Sequence, residues 1–291
     1  MARPVQAGIN VGRWLMTYST LMVHLDLGQS NEAVLSVAAD LAERFKADVV
    51  GIAACQPMQI VYAEGYFYGD MIDQDRARIE EQASQAETSF RTALQGRAAD
   101  LHWRSTICLA PLADYIAENM RSADLLITAS ARGAASQEAS HRVDLGELVI
   151  RLGRPALIVP PDAQRLDLDS VIIGWKDTRE TRRAVVDALP LLRHAGRVAV
   201  VEVAAEEDLP AARARLDDVA AWLKRHGVAA HPVAAPSAGD DAAHLDGIAI
   251  EHGAGLLVAG AYGHNRLREW ALGGVTRSVL KRPGRCSLLS H

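Results

Sequence analysis

Glycines spaced along the second half of the sequence are the residues best suited to a chemical role. Gly260 and Gly263 enclose two residues, and nine further residues separate Gly263 from the pair Gly273 and Gly274. Glycine lets a backbone turn sharply and approach a ligand closely. The spacing therefore indicates a loop in which backbone atoms contact a ligand.

A helix predicted to begin near Val275 would complete this site. Its free N–H groups and its dipole would face an anion, and phosphate is the anion that such helix starts commonly bind. Thr276 adds a hydroxyl to the same turn, and His264 is the only histidine within the glycine segment. The segment therefore predicts a phosphate-binding loop, although single glycines more often simply form turns.

A second group of candidate residues follows the first predicted strand of this half. Ligands of open α/β sheets bind beyond the carboxyl ends of the strands, near the point where strand order reverses. Trp175 and Lys176 lie at such an end. Lys176 either pairs with phosphate as a point charge or is a solvated loop residue. Trp175 either packs in the core or lines the ligand site. Asp177 with Glu180 also fits a helix N-cap arrangement.

The corresponding positions of the first half differ. Asp26 follows the first strand, but the glycine loop retains only Gly133, and Asp144 stands where the glycine pair would be. A carboxylate at a helix start caps the helix and repels phosphate. His24 and Asp26 share a strand face, a pairing more often structural than catalytic. We expect this first site to be empty.

Short apolar runs alternate with helical patterns along the whole chain, which is typical of parallel strands joined by right-handed crossovers. The order of elements in the first half repeats in the second. Strands are predicted at residues 20–26, 49–54, 101–108, 125–129 and 155–159, and again at 171–175, 197–203, 228–234, 256–259 and 285–289. The pattern predicts an α/β protein: two tandem five-stranded, mostly parallel sheets with helices on both faces and pseudo-twofold symmetry.

Two adjacent prolines divide the repeats. Pro160 and Pro161 interrupt helix continuation and remove two ladder donors, so we predict domains at residues 17–160 and 167–291. The apolar closing strand of each half would invite uncontrolled pairing if left bare. We expect each half to cover the closing strand of the other.

Composition excludes several classes of protein. The net charge of -5, without a Lys/Arg block, argues against nucleic-acid binding. Three distant cysteines, Cys55, Cys108 and Cys286, indicate neither a disulfide framework nor a zinc site and fit a reducing cytoplasm. No apolar run is long enough to cross a bilayer as a helix, so we expect a soluble, cytoplasmic protein. Residues 1–16 are expected to be a loose leader.

The glycine spacing resembles the phosphate loop of the universal stress protein family, in which G-x-x-G, nine residues and Gly with Ser or Thr hold the phosphates of ATP. The resemblance implies a Rossmann-like, adenine nucleotide α-hydrolase-like fold for each half and ATP, with or without Mg²⁺, as the ligand. Gly274 replaces the hydroxyl side chain of the family, and Lys176 stands where an Asp is common. The implied contacts are Gly260, Gly263, His264, Gly273, Gly274, Val275, Thr276, Trp175 and Lys176.

Three functions remain open at this point. The first is a stress-associated sensor or regulator that binds adenine nucleotide in its second half. The second is a scaffold without nucleotide, in which the aromatic loop at residues 62–68 contacts a protein partner. The third is a slow ATPase, although neither a catalytic motif nor a metal-site motif is present. The family also implies dimerisation through the closing strand, here replaced by the tandem, so a further homodimer is an additional alternative.

Overall fold

The computed structural model describes residues 17–57, 69–130, 143–261 and 284–291 of the 291-residue chain. Strands and helices alternate through these ranges, as the sequence predicts. The strands are β1 (Thr20–His24), β2 (Asp48–Cys55), β3 (Leu101–Ile107), β4 (Leu125–Ala129), β5 (Ala156–Val159), β6 (Ser170–Gly174), β7 (Arg197–Ala204), β8 (Ala230–Pro236), β9 (Leu256–Gly260) and β10 (Cys286–Ser290). The helices are α1 (Glu32–Phe45), α2 (Gly69–Leu94), α3 (Leu112–Asn119), α4 (Leu145–Leu152), α5 (Arg179–Leu192), α6 (Leu209–Arg225) and α7 (Asp241–Glu251).

All ten strands belong to one sheet, in the order β3-β2-β1-β4-β5-β10-β9-β6-β7-β8. Within each half the five strands are parallel and follow the same order. The predicted α/β fold with two five-stranded halves is confirmed, and the halves are joined edge to edge. Strand order reverses between β1 and β4 in the first half and between β6 and β9 in the second.

The junction between the halves is the antiparallel pair β5 and β10. Leu157 lies opposite Leu288, and Ala156 lies opposite Leu289. All four side chains are fully buried. The expectation that the two closing strands cover each other is confirmed.

Helices pack on both faces of the sheet, and the alternation of strand residues separates two cores. Leu21 and Val23 of β1 face the core formed with α1, α2, α5 and α6, whereas Met22 faces the core formed with α3, α4 and α7. Because side chains alternate along a strand, both faces of a central strand must be apolar here. The central strands therefore appear in the sequence as nearly continuous apolar runs.

Most strand ends lie within one or two residues of the predicted ones, and two of the differences have a clear local reason. Val228 was expected to open β8, but its N–H donates to the carbonyl of Leu223 and so completes the end of α6. The predicted end of β1 at Asp26 lies two residues beyond the observed one. Asn31 accepts from the backbone N–H of Asp26 and donates to its carbonyl, which closes a turn there.

Aromatic rings also connect the halves on the face of α1 and α5. Tyr18 and Phe45 pack edge to face with their centroids 5.3 Å apart, and Phe45 contacts His194 of the second half at 5.6 Å. Such edge contacts align the positive rim of one ring with the negative face of the next. The junction therefore includes side-chain packing in addition to the strand pair.

None of the helices in the described ranges is long and apolar enough to span a membrane.

The junction strand should be a major source of stability. Leu288→Ala should lower the free energy of unfolding by about 2–5 kcal/mol, because it leaves a cavity where two buried strands meet. Ile150→Ala on α4, where the side chain is 45% exposed, should cost much less. Urea unfolding followed by circular dichroism measures both. Equal losses would show that β10 contributes no more than a surface side chain.

Candidate functional site

The strand-order reversal between β6 and β9 places three of the predicted site residues at one edge of the sheet. Gly260 ends β9, and Trp175 and Lys176 directly follow β6, which pairs with β9. We call the space beyond these two strand ends the second crevice. The other predicted contacts lie outside the described residues: Gly263, His264, Gly273, Gly274, Val275 and Thr276. Their phosphate-binding role stays a prediction.

Trp175 and Lys176 occupy different environments. The Trp175 ring packs partly buried against the core of α5 and α6. Its Nε1 is nevertheless buried without a hydrogen-bond partner in the described part of the chain. Lys176 is exposed, so its ammonium is available to a ligand. A buried donor and an accessible cation therefore flank the end of β6.

The start of α5 is capped by Thr178, which corrects the expectation of an Asp177 cap. Thr178 has the extended backbone of an N-cap, and its Oγ1 accepts from the N–H of Thr181 at 3.3 Å. Asp177 lies one residue too early and instead accepts from Arg182 at 3.0 Å. An N-cap side chain accepts from the backbone amide two or three residues later, and Thr178 stands at that distance from Thr181.

Glu180 places a buried carboxylate in the first turn of α5, where the side chain is 7% exposed. Burial alone would raise the pKa of Glu180, but hydrogen bonding from Arg179, from the backbone amide of Glu180 and from Thr178 lowers it overall. A carboxylate is favoured at this positive end of the helix dipole. The positive end of α5 is thus already occupied by the carboxylate of Glu180.

Gly260 is required by packing at this same place. A Cβ on Gly260 would lie 2.4 Å from the backbone N of Thr181 and 2.7 Å from the carbonyl carbon of Glu180. The sequence predicted a close approach of this glycine to a ligand, whereas the close approach in the described residues is between β9 and α5. Helix packing therefore accounts for Gly260 whether or not a ligand is bound.

Two further residues near the second crevice, Ala261 and Glu202, are buried. Ala261 is fully buried, and its N–H donates to the carbonyl of Ser290 at 2.8 Å. Glu202 at the end of β7 is buried and holds Arg215 through two hydrogen bonds, at 2.5 and 3.3 Å. Arg215 is therefore committed to Glu202, whereas Lys176 at the end of β6 is exposed.

The equivalent crevice of the first half is lined by buried polar side chains. Nδ1 of His24 and Oγ1 of Thr128 lie 3.0 Å apart across β1 and β4. Ser130 follows Thr128 on the same face and is also buried. Sequence reasoning identified His24 and Asp26 but missed Thr128 and Ser130. Their period of two along β4 was the available signal.

Two further features of the first half bear on the expectation that its site is empty. Asp144 accepts from the backbone amides of Gly146 and Glu147, so the expected capping of α4 is confirmed. Burial lowers the pKa of His24, and the nearby carboxylate of Asp26 acts in the opposite direction. A buried neutral histidine thus occupies this crevice, where the second half has glycine at Gly174.

The described residues fit an adenine nucleotide in some respects and not in others. The unpartnered Nε1 of Trp175 and the exposed Lys176 offer a donor and a cation. The start of α5, in contrast, is filled by Glu180. Among the described residues, no group of three His, Cys, Asp or Glu side chains is placed to hold a metal ion.

Comparison with solved structures finds universal stress proteins. One from Archaeoglobus fulgidus DSM 4304 matches 94% of this chain and 98% of its own, with a TM-score of 0.73 and 14% sequence identity. A candidate universal stress protein from Pseudomonas aeruginosa UCBPP-PA14 matches 94% of this chain and 93% of its own, with a TM-score of 0.61 and 14% identity. No family model and no curated protein matches the sequence. The chain therefore has the universal stress protein fold, as the sequence resemblance predicted.

Gly260 provides a test of the packing between β9 and α5. Gly260→Ala should destabilise the protein by about 1–3 kcal/mol, because the added methyl group would meet backbone atoms that cannot move independently. Gly247→Ala is the matched control, since nothing lies within 4 Å of a Cβ there. In the interior of α7 it should stabilise by about 0.5–1 kcal/mol. Thermal unfolding of both variants measures the difference, and effects of the same sign would contradict the packing.

His24 should make stability fall in mild acid. Because the pKa of His24 is lowered in the folded state, the unfolded chain takes up more protons as the pH drops through about 6.5. The free energy of unfolding should therefore decrease from about pH 7.5 to about pH 5.5, and less so in His24→Asn. His102→Asn, at a side chain that is 58% exposed, is the control. An unchanged pH slope in His24→Asn would contradict a buried neutral histidine.

Proposed function

We propose that the chain is a universal stress protein with two domains, residues 17–160 and 167–291. The second domain binds adenine nucleotide, ATP in the first instance, and the protein acts as a sensor or regulator. The observation that carries the proposal is the contrast between the two crevices. Lys176 and the unpartnered Nε1 of Trp175 flank the second crevice, whereas buried His24 and Thr128 line the first.

The glycine segment supplies the phosphate contacts in this proposal. The spacing of Gly260, Gly263, Gly273 and Gly274 supports it, together with the position of Gly260 at the end of β9. Backbone N–H groups in such a segment bind phosphate without a metal cluster of the protein. Because Glu180 already occupies the start of α5, the phosphates lie against the glycine segment and Lys176.

A scaffold that binds no nucleotide is a second candidate function. It is favoured by the close packing of Gly260 against Thr181, which explains the glycine without a ligand. The buried carboxylate of Glu180 also works against a polyphosphate near α5. In this alternative the predicted aromatic loop at residues 62–68 contacts a protein partner.

Lys176 is the described residue on which nucleotide affinity should depend. Lys176→Gln should weaken ATP binding by about three- to tenfold, because one direct ammonium–phosphate contact is lost. AMP affinity should change less, since AMP has fewer negative charges. Isothermal titration with Mg²⁺ present measures both, and Lys224→Gln on the exposed surface of α6 is the charge-matched control.

Three outcomes separate the candidate functions. Failure of ATP, ADP and AMP to bind at millimolar concentration would eliminate the sensor and leave the scaffold. Binding that survives Gly263→Asp would show that the glycine segment is not the site. Release of phosphate over many turnovers would favour a slow ATPase. Nucleotide liberated when purified protein is denatured would identify the bound species directly.

A further inference from the structure

Helix α5 carries a partly buried carboxylate, Asp187, at the junction between the two halves. The side chain of Asp187 is 19% exposed, and its Oδ2 is buried without a hydrogen-bond partner of ordinary length among the described residues. Nε of Arg183 lies 3.6 Å from this oxygen. Charge-assisted hydrogen bonds between such groups are usually 2.7–2.9 Å long. Arg183 therefore compensates the buried charge only in part.

Asp187 belongs to a set of contacts that cross from one half to the other. Its backbone carbonyl accepts from the hydroxyl of Tyr18, 169 residues earlier, at 2.6 Å. Arg183 donates to the carbonyl of Gly153, the left-handed residue that ends α4. A guanidinium is favoured at this negative end of a helix. Movement of Asp187 relative to the first half would therefore disturb both contacts.

Strand β10 contributes the hydroxyl that faces this carboxylate. Ser290 is fully buried, and its Oγ has no partner of ordinary hydrogen-bond geometry in the described part of the chain. The backbone of Ser290 accepts from Ala261. Ala261 directly follows β9, the strand that borders the second crevice. Because β10 pairs with β9, the Asp187 carboxylate beside Ser290 lies one strand away from that crevice.

The charged and polar groups around Asp187 come from four elements. Burial has the largest effect and raises the pKa of Asp187; the hydroxyl of Ser290 and the guanidinium groups of Arg183 and Arg154 act in the opposite direction without cancelling it. Arg183 belongs to α5, Arg154 to the turn before β5, Ser290 to β10 and Tyr18 to the segment before β1. Tyr18 stays neutral, because its own pKa is raised by burial and by the nearby carboxylates of Asp187 and Asp124.

We propose that Asp187 makes the junction between the halves responsive to pH, opening more readily with an ionised carboxylate and closing on uptake of one proton. The proton comes from solvent and binds a carboxylate oxygen, so the side chain changes from one negative charge to none. An open junction hydrates the carboxylate, whereas a closed junction keeps it from water. A neutral carboxyl group loses little by that burial, and a carboxylate loses much.

The direction of the effect follows from linkage. A carboxyl group whose pKa is higher in the closed state takes up protons as the junction closes, so acid favours closure. The stability that Asp187 contributes is fully present below its unfolded pKa of about 4 and is lost as the pH rises through the folded value. Acidification therefore tightens the junction through Asp187 while it weakens the first crevice through His24.

Hydrogen exchange of junction peptides tests this inference in the full-length protein. Amides in α5 and in the last turn of α4 should exchange about two- to fivefold more slowly near pH 4.5 than near pH 7.5, after correction for the intrinsic pH dependence of exchange. Asp187→Asn should exchange slowly at both values, since the neutral amide mimics the protonated acid. Its thermal midpoint should exceed that of the wild type at neutral pH, and the difference should shrink in acid.

The chain offers a matched control for Asp187. Asp40 is the ninth residue of the 14-residue helix α1, as Asp187 is of the 14-residue helix α5, but Asp40 pairs with Arg44 on its own helix. Asp40→Asn should retain the wild-type pH response. Arg183→Gln removes the partial compensation and should speed exchange at neutral pH, which enlarges the response.

Two results would overturn the inference. One is a wild-type pH response that persists in Asp187→Asn. The other is faster junction exchange in Asp187→Asn than in the wild type at neutral pH, which would mean that the ionised carboxylate holds the halves together. Both readouts are independent of nucleotide, so they separate this inference from the proposed binding function.

Discussion

The antiparallel pairing of β5 with β10 is the interaction on which the rest of the structure depends. Each half ends in a short, fully buried strand, and a strand of this kind left at a sheet edge exposes unpaired backbone groups and promotes aggregation. Pairing the two strands satisfies both edges at once and merges two half-sheets into one. The core that contains Leu157 also contains Leu288, so it continues across the junction.

This pairing fixes where the two crevices lie. Because β5 and β10 are antiparallel while each half is parallel within itself, the carboxyl ends of the two sets of strands point to opposite edges of the common sheet. The crevices therefore share no strand ends. The buried pair His24 and Thr128 in the first crevice therefore has no steric effect on the second crevice. In the second half, Gly174 and Lys176 stand at the positions equivalent to His24 and Asp26.

Helix α5 links the junction to the second crevice. Its first turn packs against Gly260, and its middle carries Asp187 beside the first half. A helix is rigid over this length, so a shift at one end is felt at the other. Different side chains of α5 thus lie at the place proposed for a ligand and at the junction between the halves, which gives the chain a physical route between its two halves.

The sequence by itself determined the local elements of this protein. Apolar periodicity fixes strands and helices, their repeated order reveals the duplication, and Asp144 is recognisable as a cap because capping involves only neighbouring residues. The universal stress protein fold was predictable from this order together with the glycine spacing. The tertiary structure decided what depends on distant residues: the pairing of Leu157 with Leu288, the contact of Thr128 with His24, the packing of Gly260 against Thr181 and the burial of Asp187. These contacts join positions separated by scores of residues, and no local pattern encodes which of them meet.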